Sequence, residues 1–347
     1  MEHLAAHDTQ LYADCVAWCP HHELHHVLAF GTYQLCGAER KGGLHFASTT
    51  GISESGANLE PATSFELPGV LDLQWGQEAG LAAITLADGS VRLFRCDGDA
   101  GAIAIATTDA AGTDTVLMAL DWADKDVLAC GIDGRIYHWK LQDSAFTLAS
   151  SWHGHDLEAW MVRSDPSQPD TVWSGSDDGL LRRWDRRAPG EALSSSVHEA
   201  GVVSIEFDPG DPMALLSGSY DETLRIWDVR AMRRPVHASA KYGDGVWRLR
   251  WLPGRRDTLL VAGMRSGVHI VDVHRPSAEE WHTEQVGHYS QHEALCAAPG
   301  GVESFLAYGA DWCHAEGDAG ARLGASVSFY DHSLHVWQAT ASPAVLL

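Results

Sequence analysis

Apolar and polar residues alternate along this chain in short stretches that end on a bulky side chain. The clearest stretches span only a few residues and recur over the whole chain, at 16–20, 73–76, 119–122, 204–209, 247–251 and 308–312. Alternation with a period of two over so few residues predicts a β-strand with one buried face. Almost no segment keeps a 3.6-residue apolar period long enough for a helix, so the pattern predicts an all-β protein.

A second element follows most of these strands and turns the pattern into a repeat. It combines small residues, a tight turn with Asp or Gly, and a strand that ends on an aromatic or aliphatic residue. The clearest copies are 174–185 and 217–228. Weaker copies share the same order of features and end at Leu35, Phe94, Trp139, Val271 and Trp337.

The spacing of these repeats predicts the architecture. Repeat ends lie 43 to 45 residues apart from Phe94 to Val271, and 59 and 66 residues apart in the first and last intervals, where we expect insertions. Seven units at this period predict one seven-bladed β-propeller over residues 1–347, with blade ends near 35, 94, 139, 184, 227, 271 and 337. Because little chain follows Trp337, we expect the N-terminal strand to complete the last blade and close the ring.

The composition narrows the possible partners. The 347 residues include 47 Asp and Glu against 24 Lys and Arg, so a net charge of −23 disfavours nucleic acid and favours a cationic ligand or a basic partner. No apolar run approaches the roughly 18 residues of a membrane helix. The chain start lacks signal-peptide features and the seven cysteines are scattered. We therefore expect a cytosolic monomer that binds neither nucleic acid nor membranes.

Sequence motifs for metals, cofactors and common hydrolases are missing. The letters H-E-x-x-H occur once among the 20 histidines, at 22–26, but not in a segment with the helical period that this zinc motif requires. The sequence contains neither a G-x-x-x-x-G-K-[ST] loop nor a G-x-S-x-G nucleophile elbow. We therefore predict no metal site and no organic cofactor.

Two of the repeats resemble WD repeats in detail. In that family a His, a Ser or Thr, a turn Asp and a strand Trp form a hydrogen-bonded tetrad inside a blade. The resemblance implies two tetrads here, composed of His155, Ser174, Asp178 and Trp184 in blade four and of His198, Ser217, Asp221 and Trp227 in blade five. We interpret these residues as scaffold and not as catalytic triads, because a triad is recognised by geometry and not by residue type.

Four further segments are unusual for a generic propeller: 153–160, 243–251, 306–312 and 328–337. Together they resemble the diphthine methylesterase family, a WD-repeat family of the diphthamide pathway, over about residues 150–340. The resemblance implies hydrolysis of the methyl ester of diphthine methyl ester, the modified histidine of eukaryotic elongation factor 2. The chain departs from the family at 296–305, which we interpret as an inserted loop.

The implied substrate carries a trimethylammonium group, and aromatic faces with nearby carboxylates recognise such cations. Trp160, Trp247 and Tyr308 occupy comparable early positions in the predicted inner strands of blades four, six and seven. We hypothesise a substrate-binding cup at the propeller mouth that combines these aromatic residues with Tyr330 and Asp311. The alternative is that the aromatic side chains only pack between blades.

Ester hydrolysis also needs a base or a nucleophile. Our first candidate for the base is His332, which follows the turn residue Asp331, and the second is His155, if its tetrad leaves it free. Glu158 or Asp156 would orient a water molecule or the base. No serine or cysteine stands out as a nucleophile, so we favour direct attack by water over an acyl-enzyme.

A non-catalytic scaffold is the competing function, because propellers commonly bind proteins. The segments 184–187 and 227–230 are two consecutive W-D-x-R boxes, which resemble the substrate receptors of cullin-based ubiquitin ligases, where the Arg faces the adaptor. We favour the simpler interpretation of these boxes as ordinary WD-repeat strand ends.

Overall fold

Seven antiparallel sheets, formed one after another along the chain, build a seven-bladed β-propeller. The computed structural model describes residues 1–52, 57–112, 115–190, 192, 194–277, 280–292, 306–315 and 321–340. The inserted loop predicted at 296–305 lies outside these ranges. A 3-10 turn spans His22–Leu24. Within the described ranges there is no α-helix, and no helix is long and apolar enough to cross a membrane.

The strands of the first three blades follow the N-terminal strand β1 (Glu2–Asp8). Blade one consists of β2 (Ala13–Trp18), β3 (Val27–Cys36), β4 (Glu39–Ser48) and β6 (Pro61–Leu67), with a short strand β5 (Ala57–Asn58) before the last. Blade two consists of β7 (Val70–Trp75), β8 (Leu81–Leu86), β9 (Val91–Cys96) and β10 (Ala102–Thr107). Blade three consists of β11 (Leu117–Ala123), β12 (Asp126–Gly131), β13 (Arg135–Gln142) and β14 (Ala145–His153).

The remaining blades repeat this order. Blade four consists of β15 (Ala159–Ser164), β16 (Thr171–Ser176), β17 (Leu180–Asp185) and β18 (Ser194–Val197). Blade five consists of β19 (Val202–Asp208), β20 (Asp211–Ser219), β21 (Leu224–Asp228) and β22 (His237–Ala238). Blade six consists of β23 (Val246–Trp251), β24 (Thr258–Gly263), β25 (Gly267–Ser277) and β26 (Glu280–Tyr289). Blade seven contains β27 (Ala307–Trp312), β28 (Ala321–Ser328) and β29 (Ser333–Thr340).

The N-terminal strand closes the ring, which confirms the prediction. Strand β1 pairs antiparallel with β29, so that Ala6 lies opposite His335. Strand β5 then pairs in parallel with β1, with Ala5 opposite Ala57, and makes blade seven a five-stranded sheet. Leu4 and Ala5 are buried in this closure. Backbone hydrogen bonds thus join the first and last blades. Both β29 and β1 are paired on their two sides, so neither is an unpaired edge of the sheet.

The first repeat does not end at Leu35, as the spacing predicted. Leu35 lies near the end of β3, which is the second strand of its blade. Trp184 ends the repeat of blade four and lies on the third strand of that blade. In blade one, the residue with the same strand pairing is Ala47. Alanine carries no signal in a repeat defined by bulky ends, so the sequence spacing selected the wrong residue.

The predicted tetrad of blade four is present. Nδ1 of His155 lies 3.0 Å from Oδ2 of Asp178, and its Nε2 lies 2.7 Å from Oγ of Ser174. Trp184 donates its Nε1–H to the same Oγ at 2.8 Å. His198 makes the equivalent contacts in blade five, at 2.9 Å to Asp221 and 2.7 Å to Ser217. Each hydrogen bond contributes about 1 kcal/mol, so the tetrads hold turn and strand together within a blade.

A third tetrad, which we did not predict, lies in blade seven. Nε2 of His292 is 2.9 Å from Oγ of Ser326, and Trp337 donates to that Oγ at 3.1 Å. Nδ1 of His292 is 2.8 Å from Oγ of Ser333 and 3.5 Å from Asp331. His292 and Ser326 are 34 residues apart, against 19 between the histidine and the serine of the other two tetrads, so the common spacing did not reveal it.

Candidate functional site at the mouth of the channel

Equivalent positions of the seven inner strands form layers around a central channel. The inner strands β2, β7, β11, β15, β19, β23 and β27 each contact the next around the ring. We call the end of the channel where these strands begin the mouth, and the end where they finish the far end. The second residue of each strand lies at the mouth, and the fifth and sixth residues lie near the far end.

The mouth carries a connected group of aromatic side chains, which we call the mouth cluster. Its members touch through ring contacts with centroid separations between 4.6 and 6.4 Å. They come from blades four to seven and from the segment that precedes β2: Tyr12, Trp160, Tyr220, Trp247, Tyr308, Phe329 and Tyr330. The structure therefore brings together the four aromatic residues that the sequence placed in the substrate-binding set.

The ring orientations at the centre of the mouth cluster suit a cation. The rings of Trp160 and Trp247 are 5.7 Å apart and inclined at 64°, so they form two walls of a corner. Tyr308 stacks on Trp247 at 4.6 Å. All three side chains are half-buried, whereas Tyr330 at the edge of the cluster is exposed. Two or more aromatic walls are the arrangement that holds quaternary ammonium groups.

His332 lies at the outer edge of the mouth cluster. Its ring centroid is 4.9 Å from that of Tyr12, and the side chain is half-buried. The residue adopts a left-handed conformation with φ of 56°, and its carbonyl oxygen accepts hydrogen bonds from the N–H and hydroxyl of Thr9. The turn thus presents the imidazole beside the aromatic residues and not inside the blade.

His155 is unsuited to act as a base in this structure. The side chain is fully buried, and both ring nitrogens are engaged by Asp178 and Ser174. Burial lowers the pKa of His155, with Asp178 opposing that effect. The neutral ring donates from Nδ1 to the carboxylate and accepts at Nε2 from the Ser174 hydroxyl, which leaves no nitrogen for a substrate.

The predicted acidic residues divide between several places. Glu158 is half-buried two residues before Trp160, and its backbone oxygen accepts the N–H of Asp177. Asp156 is exposed and lies 3.4 Å from His153. Asp311 lies three residues beyond Tyr308 on β27, about 10 Å along the strand. Its Oδ2 accepts the N–H of Trp18 at 2.8 Å, near the far end. Asp311 is therefore separated from the mouth cluster, in contrast to the predicted cup.

Other carboxyl groups at the mouth were not predicted. Burial and the nearby carboxylates of Asp177 and Asp244 raise the pKa of the Tyr220 hydroxyl, and burial and Asp14 raise that of Tyr308. Asp177 lies in the turn after the second strand of blade four, and Asp244 lies in the turn before the inner strand of blade six. The sequence could have indicated Asp14 by its position alone. Asp14 is the second residue of its inner strand, just as Trp160 and Tyr308 are the second residues of theirs.

The far end of the channel contains a cavity of about 740 Å³ and a ring of alternating charges. Arg163 is 3.0 Å from Asp121 and 2.7 Å from Glu206, while Arg250 is 3.4 Å from Glu206 and 3.8 Å from Asp311. Backbone N–H groups complete the shells of these carboxylates. Because these carboxylates are already paired with arginines and backbone N–H groups, the cavity is a weaker binding site for a cation than the mouth, despite its size.

The arginines of the two W-D-x-R boxes lie at the ends of β17 and β21. Arg187 makes a bidentate contact with Asp185, and Arg230 makes the same contact with Asp228. Both side chains are 67% exposed. The adaptor contact remains a prediction, and it would use a surface away from the mouth. Among the described residues, no three His, Cys, Asp or Glu side chains are grouped to hold a metal ion.

Known proteins are similar to this chain over most of its length. A family model described as WD domain, G-beta repeat matches residues 191–228. The human protein named diphthine methyltransferase is 31% identical over 342 residues, which cover 88% of this chain and 73% of that protein. The chain belongs to the diphthine methyltransferase family. The mouse member is 30% identical, covering 89% of this chain and 69% of its own length, and the homolog from Dictyostelium discoideum is 26% identical.

The family membership confirms the resemblance to the diphthine methylesterase family. A solved structure also supports the fold: a chain from the crystal structure of a mitotic checkpoint complex matches 98% of this chain and 91% of its own with a TM-score of 0.67. Its sequence identity is 14%, so this likeness concerns the propeller alone.

Proposed function

We propose that this protein hydrolyses the methyl ester of diphthine methyl ester on elongation factor 2 and so acts in diphthamide biosynthesis. The proposal is supported by the named family members and, above all, by the aromatic corner of Trp160 and Trp247 at the channel mouth. The implied substrate carries a permanent cation and an ester on one modified histidine side chain. A site for it needs aromatic faces, carboxylates and a group that activates water.

The mouth cluster supplies the first two requirements. The walls of Trp160 and Trp247, with Tyr308 stacked behind, would enclose the trimethylammonium group through its interaction with the ring faces. Asp177 and Asp244 lie close enough to Tyr220 to influence its hydroxyl, so they would add negative potential at the same place. The chain's net charge of −23 extends this potential and favours approach of a cationic partner surface.

Residues at the edge of the mouth cluster would contact the rest of the substrate. His332, beside Tyr12, and Glu158, two residues from Trp160, are half-buried on the mouth side of blades seven and four. The carboxylate of Glu158 accepts no hydrogen bond from the described residues. Both groups would orient the modified side chain or a water molecule. Tyr330, which is exposed, would meet the surface of the protein substrate.

The direction of the reaction is part of the proposal. The name of the relatives describes methyl transfer, whereas we propose removal of the ester methyl as methanol by attack of water. The direct test incubates the purified protein with elongation factor 2 that carries diphthine methyl ester and measures methanol together with the mass of the modified histidine. A gain of one methyl group from an added donor, without release of methanol, would contradict the proposal.

The substitution Trp247→Leu tests whether the mouth cluster binds the cation. A cation over an aromatic face contributes about 1 to 2 kcal/mol, so KM should rise roughly 5- to 30-fold while kcat changes little. Trp251→Leu is the matched control, since it makes the same change on the same strand at the far end. Equal effects of the two substitutions, or a loss of folding in Trp247→Leu alone, would support aromatic packing as the sole role of the mouth cluster.

A further inference from the structure

Every inner strand carries a backbone irregularity at the same place. The register to the neighbouring strand shifts between the first and third residues in all seven blades, which leaves the second residue as a β-bulge. A bulge re-aims a side chain and interrupts pairing. The bulged residues form a single layer at the mouth: Asp14, Leu71, Met118, Trp160, Val203, Trp247 and Tyr308. Six of them are apolar or aromatic, and Asp14 alone carries a charge.

Asp14 is largely buried, with an exposed fraction of 7%. No donor among the described residues reaches its carboxyl group. Its oxygen atoms are not among the fully buried polar atoms that lack a partner, so solvent in the mouth reaches them. Blade seven is the neighbour of blade one in the closed ring, and Asp14 acts electrostatically on the hydroxyl of Tyr308. The carboxyl group of Asp14 therefore lies next to the mouth cluster.

We propose that Asp14 is the general base that activates water for attack on the methyl ester. This assignment rests on the proposed function, because it needs an ester whose cationic group occupies the mouth cluster. In the first step the water oxygen bonds to the ester carbonyl carbon while one water proton moves to the Asp14 carboxylate. In the second step the tetrahedral intermediate expels methoxide, which takes the proton from Asp14 and leaves as methanol. Asp14 is thereby regenerated, and the product is the carboxylate form of diphthine with one released proton.

The charge of Arg248 acts on this carboxyl group without contacting it. Arg248 is the third residue of β23, one layer deeper than Asp14, and only 6% exposed. Its Nη2 lies 3.3 Å from Oδ1 of Asp72, and its buried Nη1 has no hydrogen-bond partner. Asp72 is held in turn by the N–H of Leu120. This cross-channel ion pair fixes a positive charge beneath Asp14 and favours its ionised form.

The charged and titratable groups that face Asp14 set its protonation. Burial raises the pKa of Asp14 to about 8, Arg248 opposes this shift, and Asp72 adds to it. Cys15 and Tyr308 are the other titratable neighbours, and each has its own pKa raised by burial and by Asp14. A trimethylammonium group in the mouth would favour the carboxylate, because a nearby opposite charge stabilises the ionised form. The substrate thus favours the form of Asp14 that can accept a proton from water.

The test compares Asp14→Asn, Asp14→Glu and His332→Ala in the methanol-release assay. We expect Asp14→Asn to lower kcat by about 100-fold or more with KM nearly unchanged, and Asp14→Glu to recover part of the rate. Asp99→Asn, on the exposed turn between β9 and β10, is the control for the change of charge. A loss of kcat in His332→Ala with full activity in Asp14→Asn would overturn the assignment and name His332 as the base.

The pH profile adds a readout that a merely structural role would not change. For the wild-type protein, kcat/KM should rise with pH, with a midpoint near the pKa of Asp14 in the free protein. The rise of kcat should have its midpoint at lower pH, because the bound substrate cation lowers the pKa of Asp14. Both rises should disappear in Asp14→Asn. Identical profiles in the two proteins would refute Asp14 as the base. Absence of methanol release from the wild-type protein would instead refute the proposed function, and the assignment of Asp14 with it.

Discussion

Replacing Asp14 with Asn should stabilise the protein, and by an amount that depends on pH. Burial raises the pKa of this carboxyl group from 3.8 to about 8, against the opposing effect of Arg248. In the unfolded chain the group ionises near pH 4, whereas in the folded protein it keeps its proton up to about pH 8. Stability associated with this group is therefore complete below pH 4 and is lost as the pH rises toward 8.

The size of the effect follows from the difference between the two pKa values. Each pH unit between them costs about 1.4 kcal/mol of folding free energy, so the penalty is about 2 kcal/mol at pH 5 and about 4 kcal/mol at pH 7. Asn cannot ionise and escapes this penalty. The stability gain of Asp14→Asn over the wild type should thus grow by about 2 to 3 kcal/mol from pH 5 to pH 7.

The measurement is the difference in free energy of unfolding between the two proteins at pH 5, 6 and 7, from urea denaturation. If unfolding is irreversible, melting temperatures serve instead. For a chain of 347 residues, 1 kcal/mol shifts the melting temperature by about 1.4 °C, so the difference should widen by roughly 3 to 4 °C. All other titrations are shared and cancel. A difference that is constant with pH, as expected for the exposed control Asp99→Asn, would refute a buried and protonated Asp14.

Two further predictions concern the closure of the ring. Deletion of residues 1–8 removes β1 with the buried Leu4 and Ala5 and exposes the edge of β29, so we expect a loss of about 5 kcal/mol or more; an unchanged melting temperature would contradict closure by this strand. Burial, together with His292 and His3, lowers the pKa of His335 to about 3, so stability should be lost as the pH falls below about 6.5, the pKa in the unfolded chain. His335→Gln should flatten this loss between pH 6.5 and 4.5 in denaturation curves, and parallel curves for the two proteins would show that His335 contributes nothing to it.

The strain between function and stability at Asp14 has a simple physical origin. A carboxylate among apolar and aromatic residues is a strong base because water solvates it only in part, and the same loss of solvation disfavours the folded state. In the proposed mechanism, the layer that contains Leu71, Trp247 and Tyr308 would therefore support catalysis at a cost to folding. The tetrads around His155 and His198 contribute in the opposite direction, since all their polar atoms are paired.

The sequence by itself determined the features that depend on contacts within one blade. The strand alternation, the repeat spacing and the tetrads of His155 and His198 are local, because their members lie within about 30 residues and obey one spacing. The family segments also placed Trp160, Trp247 and Tyr308 in comparable positions, and the structure brings them into contact. Where a blade lacked the usual residue, as at Ala47, the spacing selected the wrong residue. Where the histidine lies farther from its serine, as His292 does from Ser326, the spacing gave no prediction.

Only the tertiary structure decided what the channel brings together and what it separates. Tyr308 and Asp311 are neighbours in sequence, but an extended strand carries them toward opposite ends of the channel. Asp14 and Tyr308 lie at opposite ends of the chain, yet closure of the ring by β1 makes their blades adjacent. The pairing of Arg248 with Asp72 likewise spans the channel between blades six and two. Such contacts follow from the curvature and closure of the whole ring, which no local pattern of residues encodes.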